Sequence, residues 1–233
     1  MTEIALEYLE KDSVLHMAMI GPIKSGTADI IYAGQDGVFM REEESGVYML
    51  ASSSFDKGKV LIDKVGRQSH VCVYRKDLAD YLHEKYRYKK YVANLQAAYI
   101  KAEYVELSTG VLDIQPLILT HLDWVHEHYH DHLDYDYLKR RIERGAIYGG
   151  CLDDELCGFV GVHADGSMGI LKVLEEFRGR GLAAELVGAI VNILIDKEET
   201  PFSQIEHDNE ASIGLHKKLG FEVSTGLVYR LIG

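Results

Sequence analysis

No stretch of the sequence reaches the about 18 consecutive apolar residues of a membrane-spanning helix, so no span is expected. Positive charge is also scarce: 25 Lys and Arg stand against 37 Asp and Glu, a formal net charge of -12. That deficit argues against a nucleic-acid partner, because phosphate affinity comes mainly from clustered Lys and Arg, and against an anionic membrane surface. The opening MTEIALEYLEKD is too acidic, and its apolar run too short, for a signal peptide, so a cytoplasmic location is expected. Cysteine is sparse and odd in number. Cys72, Cys151 and Cys157 make no disulfide framework. A two-residue turn at Asp153-Asp154 would pair Cys151 with Leu156 and keep the two nearby cysteines from facing each other. All three are read as small, half-buried hydrophobes.

What the chain does have is a globular balance, 47% hydrophobic and 27% charged residues over 233 positions, enough for one large domain or two small ones. No low-complexity linker divides it, so the boundary has to come from pattern. Helical spacing runs from Thr2 to about Met19, with Gly21-Pro22 as the expected stop. A meander follows in TADIIYA, GVFMRE and GVYMLAS, separated by the turn-rich GQDG and EEESG. SHVCVYR reads as a strand and KDLADYLHEKYRY as a helix. KKYVANLQAAYIKAEYVEL is ambiguous, with strand slightly favoured by Tyr91, Val92, Tyr99, Ile100 and Tyr104. The plan then restarts: a strand LDIQPL, a helix HLDWVHEHYH entered at Thr120, and an amphipathic helix LDYDYLKRRIERG ending at Gly145. A hairpin AIYGGCL-DD-ELCGFVGVH and a strand MGILKVL come next. The two hairpins, DIIYAGQDGVFM and AIYGGCLDDELCGFV, are weakly alike, which suggests two domains of related plan, 1–103 and 104–233.

Two stretches invite chemistry. HLDWVHEHYHDH contains His126-Glu127 followed by His130, the H-E-x-x-H spacing of a catalytic zinc helix. His126 and His130 share one face and His128 and His132 another, but neither pair has a well-placed third ligand, so no metal is expected. Leu122, Trp124 and Val125 supply the buried stripe instead.

The second stretch is VLEEFRGRGLAAELVGAIVNIL. It sets Arg178, Gly179, Arg180, Gly181, Leu182 and Ala183 between an apolar strand and a long apolar helix. First-turn N–H groups have no partner inside the helix and the macrodipole favours negative charge, so the turn is an anion site. About thirty residues later DNEASIGLHKKLGFEV places Asn209 ahead of a short helix that ends at Gly220.

The R-x-x-G-x-A turn followed by NEASIGLHKKLGF resembles the GNAT superfamily of acyl-CoA-dependent N-acyltransferases over roughly residues 104–233. It is similar in flavour to the glycine N-acyltransferase-like branch, whose members carry a degenerate GNAT-like N-terminal half. The resemblance implies an α/β (α+β) fold with a mixed, mostly antiparallel sheet flanked by helices. It implies one acetyl-CoA or other acyl-CoA cosubstrate per chain, no metal, and a small-molecule or peptide amine as acceptor, in a monomer or homodimer. Leu171, Lys172 and Val173 would line the pantetheine arm and the Val173 N–H would face the thioester oxygen. The N–H groups from Gly179 to Ala183 would hold the pyrophosphate, and Asn209, with Ser212 and His216, would contact the arm. The amine then attacks the thioester directly, the protein supplying proximity, a polarised carbonyl and proton transfers.

Two departures from the pattern stand out. His216 occupies the place of the tyrosine that protonates the departing thiolate, and Ser167 the place where several relatives carry a glutamate base. Asp165, His163 or a water chain would then take the amine proton. A CoA-binding regulator without turnover is the alternative these departures motivate. The N-terminal domain would shape the acceptor cleft or mediate dimerisation.

Overall fold

The computed structural model describes residues 1–107, 110–129 and 133–233. In chain order the elements are helix α1 (Thr2–Leu9), a 3-10 turn at Glu10–Asp12, α2 (Met17–Ser25), strands β1 (Ala28–Gly34), β2 (Gly37–Glu42) and β3 (Tyr48–Ser52), α3 (Phe55–Val65), β4 (His70–Val73), α4 (Lys76–Tyr86) and β5 (Lys90–Ala98). They continue with β6 (Asp113–Pro116), α5 (Leu122–Tyr129), α6 (Tyr135–Glu143), β7 (Ile147–Leu152), β8 (Glu155–Val162) and β9 (Met168–Val173). Last come α7 (Leu182–Asp196), β10 (Phe202–Glu206), α8 (Glu210–Lys218), β11 (Glu222–Val223) and β12 (Val228–Ile232). The result is the expected α/β architecture with a mixed, mostly antiparallel sheet and flanking helices.

The chain forms two compact units. One is Met1–Ala98 with Gln204–Gly233, the other Tyr99–Ser203. The pattern-based boundary near residue 104 falls close to the first break, but residues 204–233 group with the N-terminal segment. The reason lies in β12, which pairs antiparallel with β4 on one side and with β5 on the other. Its Leu231 is fully buried in the core with Phe39, Leu50, Ile62 and Leu82. The strands of this unit run β1-β2-β3-β4-β12-β5, with β11 also on β5.

Two local expectations are corrected. The N-terminal helical run breaks into α1 and α2, and α2 continues through Gly21 and Pro22 to Ser25. Proline removes one donor but keeps its carbonyl, and the Pro22 carbonyl accepts from both Gly26 and Thr27, so the helix closes at Gly26, left-handed at φ 76°. Helix α3 was unforeseen, because its buried stripe is only Gly58, Leu61 and Ile62 within a charged segment; Ser54 caps it, accepting from the Lys57 N–H at 3.3 Å.

In the second unit β6, β7, β8 and β9 form an antiparallel meander. The β7–β8 turn has Asp153 at φ 52° and Asp154 at φ 65°, the pair of left-handed residues that a type I′ hairpin demands, and it sets Cys151 opposite Leu156 as expected. The three cysteines form no disulfide, and they are buried rather than half-buried. Helices α5 and α6 cover one core, in which Leu122, Val125, Leu138 and Ile142 meet Ile147, Phe159 and Ile170. Among the described residues no helix is long and apolar enough to cross a membrane.

Candidate active site

Strand β9 is irregular where it matters. Phe159 of β8 faces Lys172 and Gly161 faces Gly169, so β9 spends one more residue than β8 over the same span. The extra residue brings Ile170 to φ 50°, although it is β-branched and only 1% exposed. An isoleucine in the left-handed region is strained and persists only where its surroundings dictate it. Such a bulge re-aims the N–H groups that follow. On its other edge β9 makes the parallel bridge Ser203↔Met168. Leu171, Lys172 and Val173, beyond that bridge, are half-buried.

The chain next makes a 3-10 turn at Glu175–Phe177 and reaches the glycine turn. Arg178 is extended, Gly179 sits at φ 79° and Gly181 at φ 81°, directly at the N-cap of the 15-residue α7. Only glycine takes that conformation without a steric penalty. No side chain caps α7. The Ala184 and Glu185 N–H groups reach back to the Gly181 carbonyl at 3.0 and 3.3 Å, while those of Leu182 and Ala183 precede the first intrahelical bonds and remain as donors. A Cβ built on Gly179 would meet nothing within 4 Å, so the space beside it is open. Both arginines are exposed and tethered. Arg178 donates to the Val173 carbonyl at 3.3 Å and pairs with Glu175 at 3.3 Å; Arg180 donates to the Glu176 carbonyl at 3.4 Å and lies over the Phe177 ring. Left-handed glycines, converging donors and local positive charge in an acidic chain fit the pyrophosphate of an acyl-CoA.

Ser167 and Asp165 close the β8–β9 turn. The Ser167 N–H and hydroxyl both donate to one Asp165 oxygen, at 3.1 and 2.6 Å, and Ser167 is buried. Beside them the Tyr137 oxygen accepts from the Ala164 N–H at 3.1 Å and lies 3.0 Å from His163 Nδ1. Tyr137, on α6, is a neighbour the sequence analysis missed, since nothing in its local pattern links it to the hairpin.

Asn209, Ser212 and His216 belong to the other compact unit. Asn209 caps α8, accepting from the Ser212 N–H at 3.0 Å. His216 is 5% exposed, its Nδ1 lies 2.8 Å from the Ser212 carbonyl, and its ring meets Phe221 edge-on at 4.8 Å. Burial pushes its pKa below the ordinary histidine value, and the bond to Ser212 offsets this only in part. A carbonyl can only accept, so Nδ1 carries a proton, and in the neutral ring Nε2 carries none and can only accept.

Within the histidine run, His126 and His128 lie on α5. His128 Nδ1 lies 2.8 Å from the Trp124 carbonyl and its ring packs on Trp124 at 4.7 Å; His126 meets Tyr135 edge-on at 5.2 Å. Leu122 and Val125 are buried and Trp124 half-buried, as the stripe required. His130 and His132 lie outside the described residues, among which no group of three His, Cys, Asp or Glu could hold a metal ion.

Residues 145–229, from the end of α6 to β12, match the family model described as FR47-like protein. No curated protein sequence matches the chain. Among solved structures, a Drosophila protein superimposes with a TM-score of 0.63 at 16% identity, over 84% of this chain and 74% of its own. A GCN5-related N-acetyltransferase-like protein from Streptococcus suis gives 0.56 at 13% identity, over 97% and 99%. An acetyltransferase of the GNAT family from Colwellia psychrerythraea gives 0.53 at 15% identity, over 100% and 96%. The chain has the GNAT fold.

Proposed function

We propose that this protein transfers an acyl group, acetyl in the first instance, from acyl-CoA to a primary amine of a small molecule or peptide by direct attack. The observation that carries the reading is the glycine turn, with two left-handed glycines opening α7 one 3-10 turn after a bulged β9. The GNAT fold and the FR47-like match over residues 145–229 support it.

On this reading the N–H groups from Gly179 to Ala183 hold the pyrophosphate, with Arg178 and Arg180 adding charge. The backbone of Leu171 and Val173, with Lys172 between them, holds the pantetheine arm; Asn209 and Ser212, which the resemblance also assigns to the arm, lie in the other compact unit. The bound thioester supplies the activated acyl group. The Val173 N–H polarises its carbonyl, and the bulge at Ile170 fixes that donor's direction in advance, so little reorganisation is left for the transition state. Asp165, His163 or a water chain takes the amine proton, while the Ser167 hydroxyl donates to Asp165. His216 can release a proton from Nε2 only when it is an imidazolium.

The test is release of free thiol from acetyl-CoA with a panel of amines, where Gly181→Asp should be inactive. A second reading, a CoA-binding regulator without turnover, is favoured by the neutral His216 and the committed Ser167. It predicts calorimetric CoA binding with no thiol release for any amine. Location in the cytoplasm, and a monomeric or homodimeric state, complete the proposal.

A further inference from the structure

Strand β5 carries polar residues where its neighbours are apolar. Asn94 is 3% exposed and Gln96 0%, two residues apart and therefore on one face. The opposite face, through Tyr91, packs against the apolar core of Phe39, Leu50 and Leu231. Across from them runs β10. The His207 N–H donates to the Ala93 carbonyl at 3.1 Å and the Tyr99 N–H to the Pro201 carbonyl at 2.8 Å. Both bonds keep one antiparallel register, and it sets Gln204 directly opposite Gln96, on the same face.

Both amide atoms of Gln96, Nδ2 of Asn94 and Oε1 of Gln204 are buried without a hydrogen-bond partner among the described residues. The nearby hydroxyl donates its proton elsewhere and makes no bond to these side-chain atoms. Ser224 Oγ accepts from the Gln96 backbone N–H at 3.0 Å and donates to the Gly226 carbonyl at 2.8 Å. Buried polar groups are almost always paired, so several unpaired on one sheet face call for a group that pairs them. Because both atoms of the Gln96 amide are unpaired, the argument does not depend on which way that amide is turned.

We infer that Asn94, Gln96 and Gln204 form a binding site for a neutral carboxamide or peptide group of a ligand. An amide presents a donor and an acceptor side by side, which is the complement of another amide. The three side chains are uncharged, so a buried ammonium or carboxylate would find no opposite charge among them. The amide belongs to the acceptor or to the pantetheine arm; this assignment to a reactant rests on the proposed acyl transfer, whereas binding itself does not.

Calorimetry distinguishes the cases without turnover. The parent is titrated with pantetheine, and with glycinamide and glutamine beside glycine and glutamate, which lack the side amide or carry an acid in its place. An amide probe should bind at least tenfold more tightly than its acid counterpart. Gln96→Met should lower that affinity at least tenfold while leaving the melting temperature of the free protein equal or higher, since it removes unpaired polar atoms from the interior. Loss confined to pantetheine assigns the site to the cosubstrate arm; loss confined to glycinamide or glutamine assigns it to the acceptor. Equal binding of amides and acids, amide binding retained in Gln96→Met, or a melting temperature several degrees lower with ordered waters bridging Gln96 and Gln204 overturns the inference. If Gln96→Met does not fold, Gln204→Met, at a half-buried position, is read by the same criteria.

Discussion

The proposed anion-binding turn can be tested by one substitution whose effects on folding and on binding separate. Gly181→Asp places a Cβ at φ 81° and a carboxylate at the start of α7. The left-handed conformation costs an L-residue about 1–2 kcal/mol. An acidic group at a helix N-terminus returns about 0.3–1 kcal/mol. The free protein should therefore lose about 1 kcal/mol, which for a chain of this length is about 2–4 °C in melting temperature.

Binding should suffer far more. A unit charge about 4 Å from a phosphate charge, at an effective dielectric of about 20, is repelled by about 4 kcal/mol. That is about a thousandfold in dissociation constant. Calorimetric titration with CoA should show this loss, whereas pantetheine, which has no phosphates, should bind parent and variant alike. CoA affinity within a factor of about two of the parent, in a variant that melts where expected, would refute the anion site. An equal loss for pantetheine would show that the turn had been deformed instead.

Other outcomes follow from the same geometry. If His216 acts as an acid, its contribution needs the imidazolium, so the kcat ratio of parent to His216→Phe should be about 10² at pH 5.5 and shrink toward one by pH 8, with His216→Tyr active at high pH; a ratio that persists at pH 8 removes the acid role. His16 and His216 are both buried with pKa values depressed by burial, so the unfolded chain binds their protons first, near the ordinary pKa of about 6.5. Stability should be flat above that pH and fall below it, and His216→Phe should shallow the fall in thermal melts from pH 8 to pH 5; an unchanged slope in the variant contradicts the assignment. Asp63 is partly buried, which works against ionisation, yet hydrogen bonds from Lys85, Lys59 and Tyr81 hold its pKa at about 2. Its stabilisation is therefore fully present above the ordinary carboxylate pKa of about 4 and is lost as pH falls from there toward about 2, so in urea titrations Asp63→Asn should lose less stability across that window than the parent; an equal loss contradicts the assignment. Acyl transfer should survive exhaustive EDTA, and His126→Ala should alter acceptor affinity at most; zinc-restorable loss would reopen the metal reading.

Much of the fold was legible because its signals are local. Gly145, Asp153-Asp154 and the alternation on either side of them write α6, β7 and β8 into the sequence, and the register at Cys151 followed from turn length alone. The conformation of the glycine turn was legible for the same reason, since a left-handed N-cap before an apolar helix favours glycine. What escaped was non-local. Nothing within Val228–Ile232 says that it will lie between β4 and β5, and nothing near Tyr137 says that it will reach the His163 ring. Gln96 and Gln204 looked like ordinary polar residues until the β5–β10 register put them opposite each other. The helix α2 shows the reverse error: a Gly-Pro pair is a stop by local rules, but burial of Met17, Met19, Ile20, Pro22 and Ile23 overrides it.

The proposed site asks more of the main chain than of side chains, and this bears on how a fold can persist at 13–16% identity to its structural neighbours. A bulge at Ile170, two positive φ angles and the first turn of α7 define directions of N–H groups, and many sequences supply those directions provided glycine stands at 179 and 181. Proton transfer is different, because it needs a side chain of suitable pKa at one place. It is there, at Ser167 and His216, that this chain departs from the pattern it resembles. The two departures bear on the same step from opposite sides. If acyl transfer proceeds as proposed, the amine must lose its proton somewhere other than 167, and a ring at 216 whose pKa burial depresses is a poor donor for the thiolate at pH 7. Both difficulties are least for an acceptor amine that is already deprotonated near neutral pH and for a thiolate released to solvent, so turnover should favour weakly basic amines over lysine-like ones.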